Sequence, residues 1–394
     1  MQRAEWSTAS AWAQNWLLSV VLPLWTDIGV DPANGGAVEK ISLSGAPLKD
    51  HPRRMRVQAR QIYSISQARF LGWTGGQQAL DNILDFWIRF YALDNGGWRH
   101  VCAGDGSPMD ETVDVYDHAF ALLALGWAYQ VTGEPRLMRY AEKSINLLLS
   151  EMRHPSGGFK ETLPHAGLRR ANPHMHLLEM SLHWMELFGD ERMGRVADEI
   201  VHLYKESFSV GGLLREYFND DLTVVSDQYS ISKQWIEPGH LIEWAHLLRR
   251  YSNLTGKAIP STATLEAVAE TFGVRTTSGL LADHCTIEGV IPAVSQSRLW
   301  PQTEFIRLKL ENALESERAK GLAMLNRIRS LYLNIDGRES GLWRDVVTLE
   351  GEPVDEPAPA STLYHMVGAL LPLLEKVRQP DLNYADMTGI SQSG

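Results

Sequence analysis

The sequence predicts an all-α protein, an (α/α)6 barrel in which six helix pairs close into a toroid with short β segments in the loops. Three observations predict it. Glycine-centred turns recur at a spacing of roughly 60 residues, longer than most solenoid repeats but as regular. They are Asn34-Gly35-Gly36, Asn95-Gly96-Gly97, Ser156-Gly157-Gly158, Gly211-Gly212, Ser278-Gly279 and Ser340-Gly341. Between them the apolar pattern reads helix, short loop, helix, so that six units carry two helices each. Each unit also has one helix that should be apolar on both sides yet carries polar residues at a nearly constant phase. No linker rich in Pro, Gly or Ser divides the chain, so residues 1–394 read as one domain. The structural alternative, an open solenoid, requires polar capping repeats that this chain does not show.

The elements follow in order. After most turns a short segment has strand-like bias, as in Gly97-Trp98-Arg99-His100-Val101 and Gly341-Leu342-Trp343-Arg344-Asp345. Breakers such as Gly104-Asp105-Gly106 end it. Ala119–Gln130, Leu137–Leu149 and Met175–Leu187 place apolar residues on a helical period, and Leu241–Leu248 is apolar nearly all round. Asn172-Pro173 reads as an N-cap followed by proline at the first helical position. Trp300-Pro301 puts proline at the same point of another helix, and Ser361 or Thr362 can cap the last one.

Composition narrows the function classes. Lys and Arg number 37 against 48 Asp and Glu, a formal charge of −11, which provides no footprint for nucleic-acid phosphates. Apolar runs such as Leu17–Leu24 are too short to span a bilayer, and Glu5, Gln14 and Asn15 interrupt the stretch where a signal peptide needs its apolar core. Cys102 and Cys285 lie far apart and fit neither a disulfide framework nor a thiolate zinc site. A cytoplasmic protein, monomer or homodimer, with no membrane or nucleic-acid partner, is the expectation. The 13 tryptophans can stack on sugar C–H surfaces, although filling a helical core is their commoner use.

The phased polar residues carry the chemistry. They are Gln58-Ala59-Arg60, Tyr116-Asp117-His118, His174-Met175-His176 with Asn172 and Glu179, His240 with Glu243, Trp300 to Glu304, and Ser361 to His365. Equal phase in a closed ring means equal height along its axis, so these side chains should converge at one mouth of the barrel. His240 and Glu243, like His176 and Glu179, are three apart and share a helical face. His240 follows Pro238-Gly239 and so lies in a first helical turn, where the dipole disfavours positive charge while a carboxylate such as Glu243 pulls the other way. Histidine titrates near neutrality and serves as acid or base. Arg60 is a permanent cation suited to an oxygen that becomes negative.

Other residues have plainer readings. His154, His165, His246 and His284 read as capping or core hydrogen-bonders. His174 and His176, two apart, point away from each other and cannot share one ion; His176 with His240 and Glu243 can hold one in three dimensions. Asp117-His118 reads equally as a catalytic pair or as the cap of a buried helix. No phosphate-binding glycine loop and no Gly-x-Ser-x-Gly elbow is present.

Taken together, Gln58-Ala59-Arg60, Tyr116-Asp117-His118-Ala119-Phe120, Asn172 to Glu179, Glu237 to Trp244, Arg298 to Glu304 and Pro359 to His365 resemble the N-acylglucosamine 2-epimerase superfamily, and most closely its D-mannose isomerase branch. The motifs run in order over almost the whole chain. The resemblance implies an (α/α)6 barrel and chemistry beside a sugar carbonyl with two histidines, without metal or other cofactor. It places His240 and His365 on the catalytic positions. Arg60, Asn172, His176 and Glu243 fall on substrate-contacting positions, with Trp300 and Glu304 as further pocket residues. Ser230-Ile231-Ser232-Lys233-Gln234-Trp235 lacks the arginine found in relatives that act on a sulfonated sugar, which argues against a strongly anionic substrate apart from what Lys233 offers.

The expected activity is an aldose–ketose isomerase on a free monosaccharide pair of the D-mannose/D-fructose type, through a cis-enediol. His240 with Glu243 opens the ring, His365 takes the C2 proton, and Arg60 and His176 hold the oxygens. The nearest alternative is a 2-epimerase acting on N-acylglucosamine, mannose/glucose or cellobiose. More distant ones are a glycoside hydrolase, which needs a carboxyl pair from Asp114, Asp117 and Glu304, and a sugar-binding protein that has kept the pocket.

Overall fold

The computed structural model describes residues 2–225, 235–273 and 277–374. The substrate-charge argument from Ser230 to Gln234 falls outside them. Thirteen α-helices are described: α1 (Gln2–Asn15), α2 (Leu22–Asp27), α3 (Met55–Phe70), α4 (Gln77–Tyr91), α5 (Val115–Thr132), α6 (Pro135–Ser150), α7 (Ala171–Phe188), α8 (Glu191–Leu203), α9 (Pro238–Thr255), α10 (Ala263–Val268), α11 (Leu299–Leu310), α12 (Glu315–Leu331) and α13 (Thr362–Leu374). The architecture is an (α/α)6 barrel. Inner helices α3, α5, α7, α9, α11 and α13 form a closed ring, with α13 packed on α3, and the other helices wrap it. None of the described helices is long and apolar enough to cross a membrane.

Sequence pattern sorts inner from outer. Along α5 every residue from Asp117 to Ala128 is buried, whereas α6 buries only the stripe Leu137, Ala141, Ser144, Ile145, Leu147 and Leu148. Inner helices α5, α7 and α9 stop at Gly133, Gly189 and Gly256, whose positive φ ends the helix at little steric cost. Closure uses the N-terminus: α1 acts as the outer partner of α13, and α2 packs on the segment that carries Gly341 and Trp343. Ser10 Oγ donates to the Leu373 carbonyl, and Trp25 stacks on Trp343 at 4.8 Å while donating to the Gly341 carbonyl at 3.0 Å. Reading each inner helix with the outer helix that follows it does not anticipate this.

Two-residue strands stitch neighbouring units together. The segment leading into each inner helix pairs with the hairpin of the next unit: Arg53–Arg54 with Val101–Cys102, Val113–Asp114 with Thr162–Leu163, Arg169–Arg170 with Tyr217–Phe218, Ile236 with Cys285, Ser297–Arg298 with Val346–Val347, and Ala358–Pro359 with Lys40–Ile41. The last pairing returns to the first unit and seals the ring. Strand positions differ in detail from expectation. Trp98 makes a single bridge to Ala92 and a strand begins only at Val101, while Gly341 to Asp345 is not a strand. In the sixth unit an extra hairpin, Asn334–Ile335 against Arg338–Glu339, precedes Gly341.

Candidate active site

All six inner helices begin at the same end of the barrel, so their first turns surround one cavity of about 300 Å³. Arg60 of α3, Asn172 and His176 of α7, and His240 and Glu243 of α9 line it. Trp300 of α11 and His365 of α13 complete the set. Of the eight residues assigned catalytic or substrate-contacting positions, Glu304 alone does not line the cavity, lying buried behind His365. α5 contributes Tyr116, whose hydroxyl accepts from Arg60 Nη2 at 2.7 Å.

Within each polar signature, residues two apart face opposite ways. Gln58 turns outward and grips the first hairpin through the N–H and carbonyl of Ala37 (2.7 and 2.8 Å), and Gln302 does the same at Leu281 (2.9 and 2.8 Å). His174 accepts from the Phe159 N–H at 3.1 Å, and His118 bonds the Ser144 carbonyl at 2.8 Å. Asp117-His118 is therefore structural: Asp117 is buried between His100 (2.6 Å) and Arg56 (3.1 Å). The helix start is capped by Asp114, which accepts from the N–H groups of Tyr116 and Asp117. With Asp114 and Asp117 so engaged and Glu304 bonded to His365, these carboxylates do not form a pair facing the cavity.

Helix starts near the cavity differ from the capping expected. Arg170 and not Asn172 is the N-cap of α7, and Arg298 precedes α11, which places Pro173 and Pro301 at the third helical position. Asn172 is thereby free for the cavity, and its Oδ1 is buried without a hydrogen-bond partner. Thr362 donates its hydroxyl to Asp345 at 2.7 Å.

The two catalytic candidates lie on either side of Trp300, whose ring centroid is 5.1 Å from His240 and 5.7 Å from His365. Their surroundings are opposite. His240 Nδ1 meets Glu216 Oε1 at 3.0 Å and Glu237 Oε2 at 3.5 Å. Burial presses its pKa down, but the Glu237 and Glu216 carboxylates overcome this and raise it to about 10. His240 is an imidazolium at neutral pH: of the two opposing influences read from the sequence, the carboxylates prevail over the helix dipole, and the acids at its Nδ1 are Glu216 and Glu237 rather than Glu243. Glu243 makes no hydrogen bond to His240. His365 Nδ1 meets Glu304 Oε1 at 2.7 Å. Burial, with Arg60 beside it, holds His365 well below the usual histidine range, so it is neutral, donating Nδ1–H to Glu304 and leaving Nε2 as a base.

The remaining groups complete the electrostatics. His176 is brought down to about 4 by burial and bonds Glu179 at 3.2 Å, in the three-residue register read from the sequence. Burial, with Glu304 and Glu179 nearby, raises Glu243 well above the usual carboxylate range, so it holds its proton. Burial pushes Glu179 up, but His176 and Arg307 hold it well below that range. Arg60 lies 4.3 Å from the centroid of Phe120 and 5.0 Å from that of Tyr364, with no carboxylate partner among the described residues. An unpaired cation in an aromatic cage suits an oxygen on which charge develops.

Of the groups that can gather a cation, the buried one is His176, Glu179 and Glu243, with ligand atoms within 4.8 Å of one another, so His240 is not part of it. Its charge is matched internally, because Glu179 faces Arg307 at 3.6 Å and accepts from Tyr364. A second group, His154, His165 and Asp220, lies outside the cavity. There His154 Nδ1 accepts from the Ser156 N–H at 3.1 Å, which leaves its proton on Nε2 for Asp220. His246 bonds Glu311 at 3.1 Å, and these histidines are hydrogen-bonders as read from the sequence.

The family model for N-acylglucosamine 2-epimerase (GlcNAc 2-epimerase) matches residues 36–369. The chain belongs to the N-acylglucosamine 2-epimerase family. It is a sugar isomerase or epimerase of that family. A mannose-6-phosphate isomerase of Rhizobium meliloti (strain 1021) is 34% identical over 376 residues, covering 91% of this chain and 95% of the relative. Among solved structures, the cellobiose 2-epimerase of Spirochaeta thermophila superposes with a TM-score of 0.84 at 21% identity, over 96% of this chain and 98% of that one. A D-mannose isomerase superposes with a TM-score of 0.82 at 18% identity, over 94% and 97%.

In this member of the N-acylglucosamine 2-epimerase family, sequence reasoning missed Glu216 and Arg307. Glu216 occupies a second repeat phase, shared with Glu39, His100, Glu161 and Asp345. Each of these accepts, through its carbonyl, an N–H at the start of the preceding inner helix, while its side chain grips the start of the next. Following the repeat at that phase would have found it. Arg307, one helical turn beyond Glu304, faces Glu179 and Glu304 at 3.6 and 4.0 Å.

Proposed function

We propose that the chain is an aldose–ketose isomerase acting on a hexose pair of the D-mannose/D-fructose type. The observation that carries this reading is the pair of cavity histidines in opposite surroundings, His240 with Glu216 and Glu237 at its Nδ1, and His365 with Glu304 at its Nδ1 and Arg60 beside it, which favour a charged His240 and a neutral His365. His240 gives its proton to the ring oxygen as the C1–O5 bond breaks, and takes up the proton that the anomeric hydroxyl releases as the C1 carbonyl forms. Nε2 of His365 then takes the proton from C2, the C2–H electrons form the C1–C2 double bond, and the C1 carbonyl oxygen, held by Arg60, takes a proton from His240. The product is a cis-enediol. Its O2 proton passes to His240 as the C2 carbonyl forms, the double-bond electrons take up the proton that His365 returns to C1, and both histidines are back in their starting states. Arg60 and His176 hold the oxygens, protonated Glu243 donates to a hydroxyl, and Asn172 Oδ1 accepts from one. Trp300 offers its face to the C–H surface of the sugar.

The Rhizobium relative is a mannose-6-phosphate isomerase and one fold neighbour a D-mannose isomerase, and both names support isomerisation of a mannose unit. Epimerisation differs only in the last step, a proton returned to the other face of C2 from the second histidine. Proton NMR of D-mannose in D2O with EDTA-treated protein separates the two. Fructose should appear with the wild type, and His365→Ala should lose on the order of 10²–10⁴ in rate. Glucose carrying deuterium at C2, without early fructose, would establish the epimerase. Absence of any exchange at C2 with mannose, glucose, N-acetylated hexosamines and cellobiose would overturn enediol chemistry on these sugars.

A further inference from the structure

Behind the two neutral cavity histidines lie two buried carboxylates, and behind both carboxylates lies one guanidinium. His365 of α13 meets Oε1 of Glu304 at 2.7 Å, and His176 of α7 meets Oε2 of Glu179 at 3.2 Å, each through Nδ1. One oxygen of each acid is left over. Glu304 Oε2 and Glu179 Oε1 are buried without a hydrogen bond among the described residues. Both face Nη1 of Arg307, at 4.0 and 3.6 Å, in ion-pair rather than hydrogen-bond range. Arg307 stands three residues after Glu304 on α11, hence on the same helical face. Its Nε, also without a hydrogen bond, faces Glu311 at 4.0 Å.

The ring leaves room for this arginine. Arg307 is 5% exposed, and its guanidinium lies against Gly368 of α13, three residues after His365. A Cβ at that glycine would stand 3.4 Å from Nη1 and 3.6 Å from Cζ, so a side chain larger than a methyl would enter the space the guanidinium fills. A buried cation needs acids around it, and two of the three around this one orient cavity histidines. The proton between a carboxyl and an imidazole can rest on either. With the acid ionised, the histidine donates Nδ1–H and presents a bare Nε2. With the acid protonated, the carboxyl O–H goes to Nδ1, and the histidine carries its own proton on Nε2, which is then a donor and no base. Burial raises Glu304 above its usual range, and Arg307 is foremost among the charges that pull it back. Burial pushes Glu179 up as well, but His176 and Arg307 bring it well below.

We propose that Arg307 is a positioning residue for both histidines: it keeps Glu304 and Glu179 as hydrogen-bond acceptors, which fixes the protons of His365 and His176 on Nδ1 and turns both Nε2 atoms bare toward the sugar. Arg307 itself does not line the cavity and acts through the two acids. A bare Nε2 is what His365 needs to take the C2 proton, and what His176 needs to accept from a hydroxyl. The use made of the two nitrogens rests on the isomerase reading.

The test reads the tautomer directly. Long-range proton–nitrogen correlation spectra are recorded at neutral pH, without sugar, on protein carrying 15N in its histidine rings, and His365→Ala and His176→Ala assign the signals. The wild type should show both histidines protonated on Nδ1 with Nε2 bare. Arg307→Met should move the His365 proton to Nε2 and lower kcat on the hexose by on the order of 10²–10⁴, the scale of a wrong tautomer in a histidine–carboxylate pair. Arg307→Lys, which keeps the charge, should return the proton to Nδ1 and recover about tenfold or more of that loss. A folded Met variant with the His365 proton still on Nδ1, whether or not turnover falls, would make Arg307 a packing residue and overturn the inference. A wild type with that proton on Nε2 would overturn it too. Where Arg307→Met does not fold, combining it with Glu179→Gln removes one buried acid along with the cation and puts the same question to His365. Because the spectra need no sugar, a wild type that turns over no hexose would overturn the isomerase reading separately from the tautomer result.

Discussion

His240 and His365 are both buried and both face one cavity, yet their neighbours separate them. Two acids close to Nδ1 charge His240, while burial beside Arg60 and Arg307 keeps His365 neutral. Two like residues tuned apart give an acid and a base at one pH, which a single sugar needs in turn. Glu243 extends the same logic, since its raised pKa makes it a hydrogen-bond donor. Glu243→Gln, which keeps shape and donor, should cost less than about tenfold in kcat/KM, whereas Glu243→Ala should cost on the order of a hundredfold. Steady-state kinetics on the two variants checks this, and a Gln variant as poor as the Ala one would mean that the carboxylate acts ionised. Which residues face the cavity was legible from their phase. Their charge states were not, because these depend on Glu216 and Arg307, which approach from a hairpin and from deeper in a helix.

At the scale of elements, the site depends on how closely α9 and α11 approach. A Cβ at Gly239 would stand 2.5 Å from the Trp300 ring and 3.0 Å from Pro301. Glycine here serves close helix contact, because the added atom would press on Pro301 and, more closely, on the ring that lies between the two histidines. Gly239→Ala should therefore lower kcat/KM by about 10² while the protein stays folded. Circular dichroism beside the kinetics checks it, and unchanged kinetics would show that the ring position is immaterial. The helices themselves were legible from apolar periodicity: the expected Ala119–Gln130 lies inside α5, and Met175–Leu187 inside α7. Their first residues were not. Asn and Pro near a helix start suggest a cap by propensity, but a strand pairing with the next unit begins α7 at Ala171, two residues before Pro173, and releases Asn172 to the cavity.

For the whole molecule, closure of the ring is what brings six remote segments to one cavity. The six-unit repeat was visible in the spacing of the glycine turns, and a polar phase repeated around a closed ring places its residues at one height. The source of the last outer helix was hidden, because α1 packs on α13 through contacts more than 300 residues apart in sequence, such as Ser10 to Leu373. The same ring geometry supplies each histidine with an acid from another segment: Glu216 from the hairpin ahead of α9, and Glu304 from α11. The central claim, a charged His240 beside a neutral His365, predicts that kcat/KM is sustained from near neutrality up to about pH 10, where His240 loses its proton. Below neutrality it should fall only as His365 is protonated, at a pH under the usual histidine value of 6.5. The most direct test is the pH profile of kcat/KM for wild type and Glu216→Gln. Loss of the Glu216 charge should move the alkaline limb down by roughly one to three pH units and leave the acid limb in place. Two superimposable profiles, or a wild-type alkaline limb already near pH 7, would contradict the account.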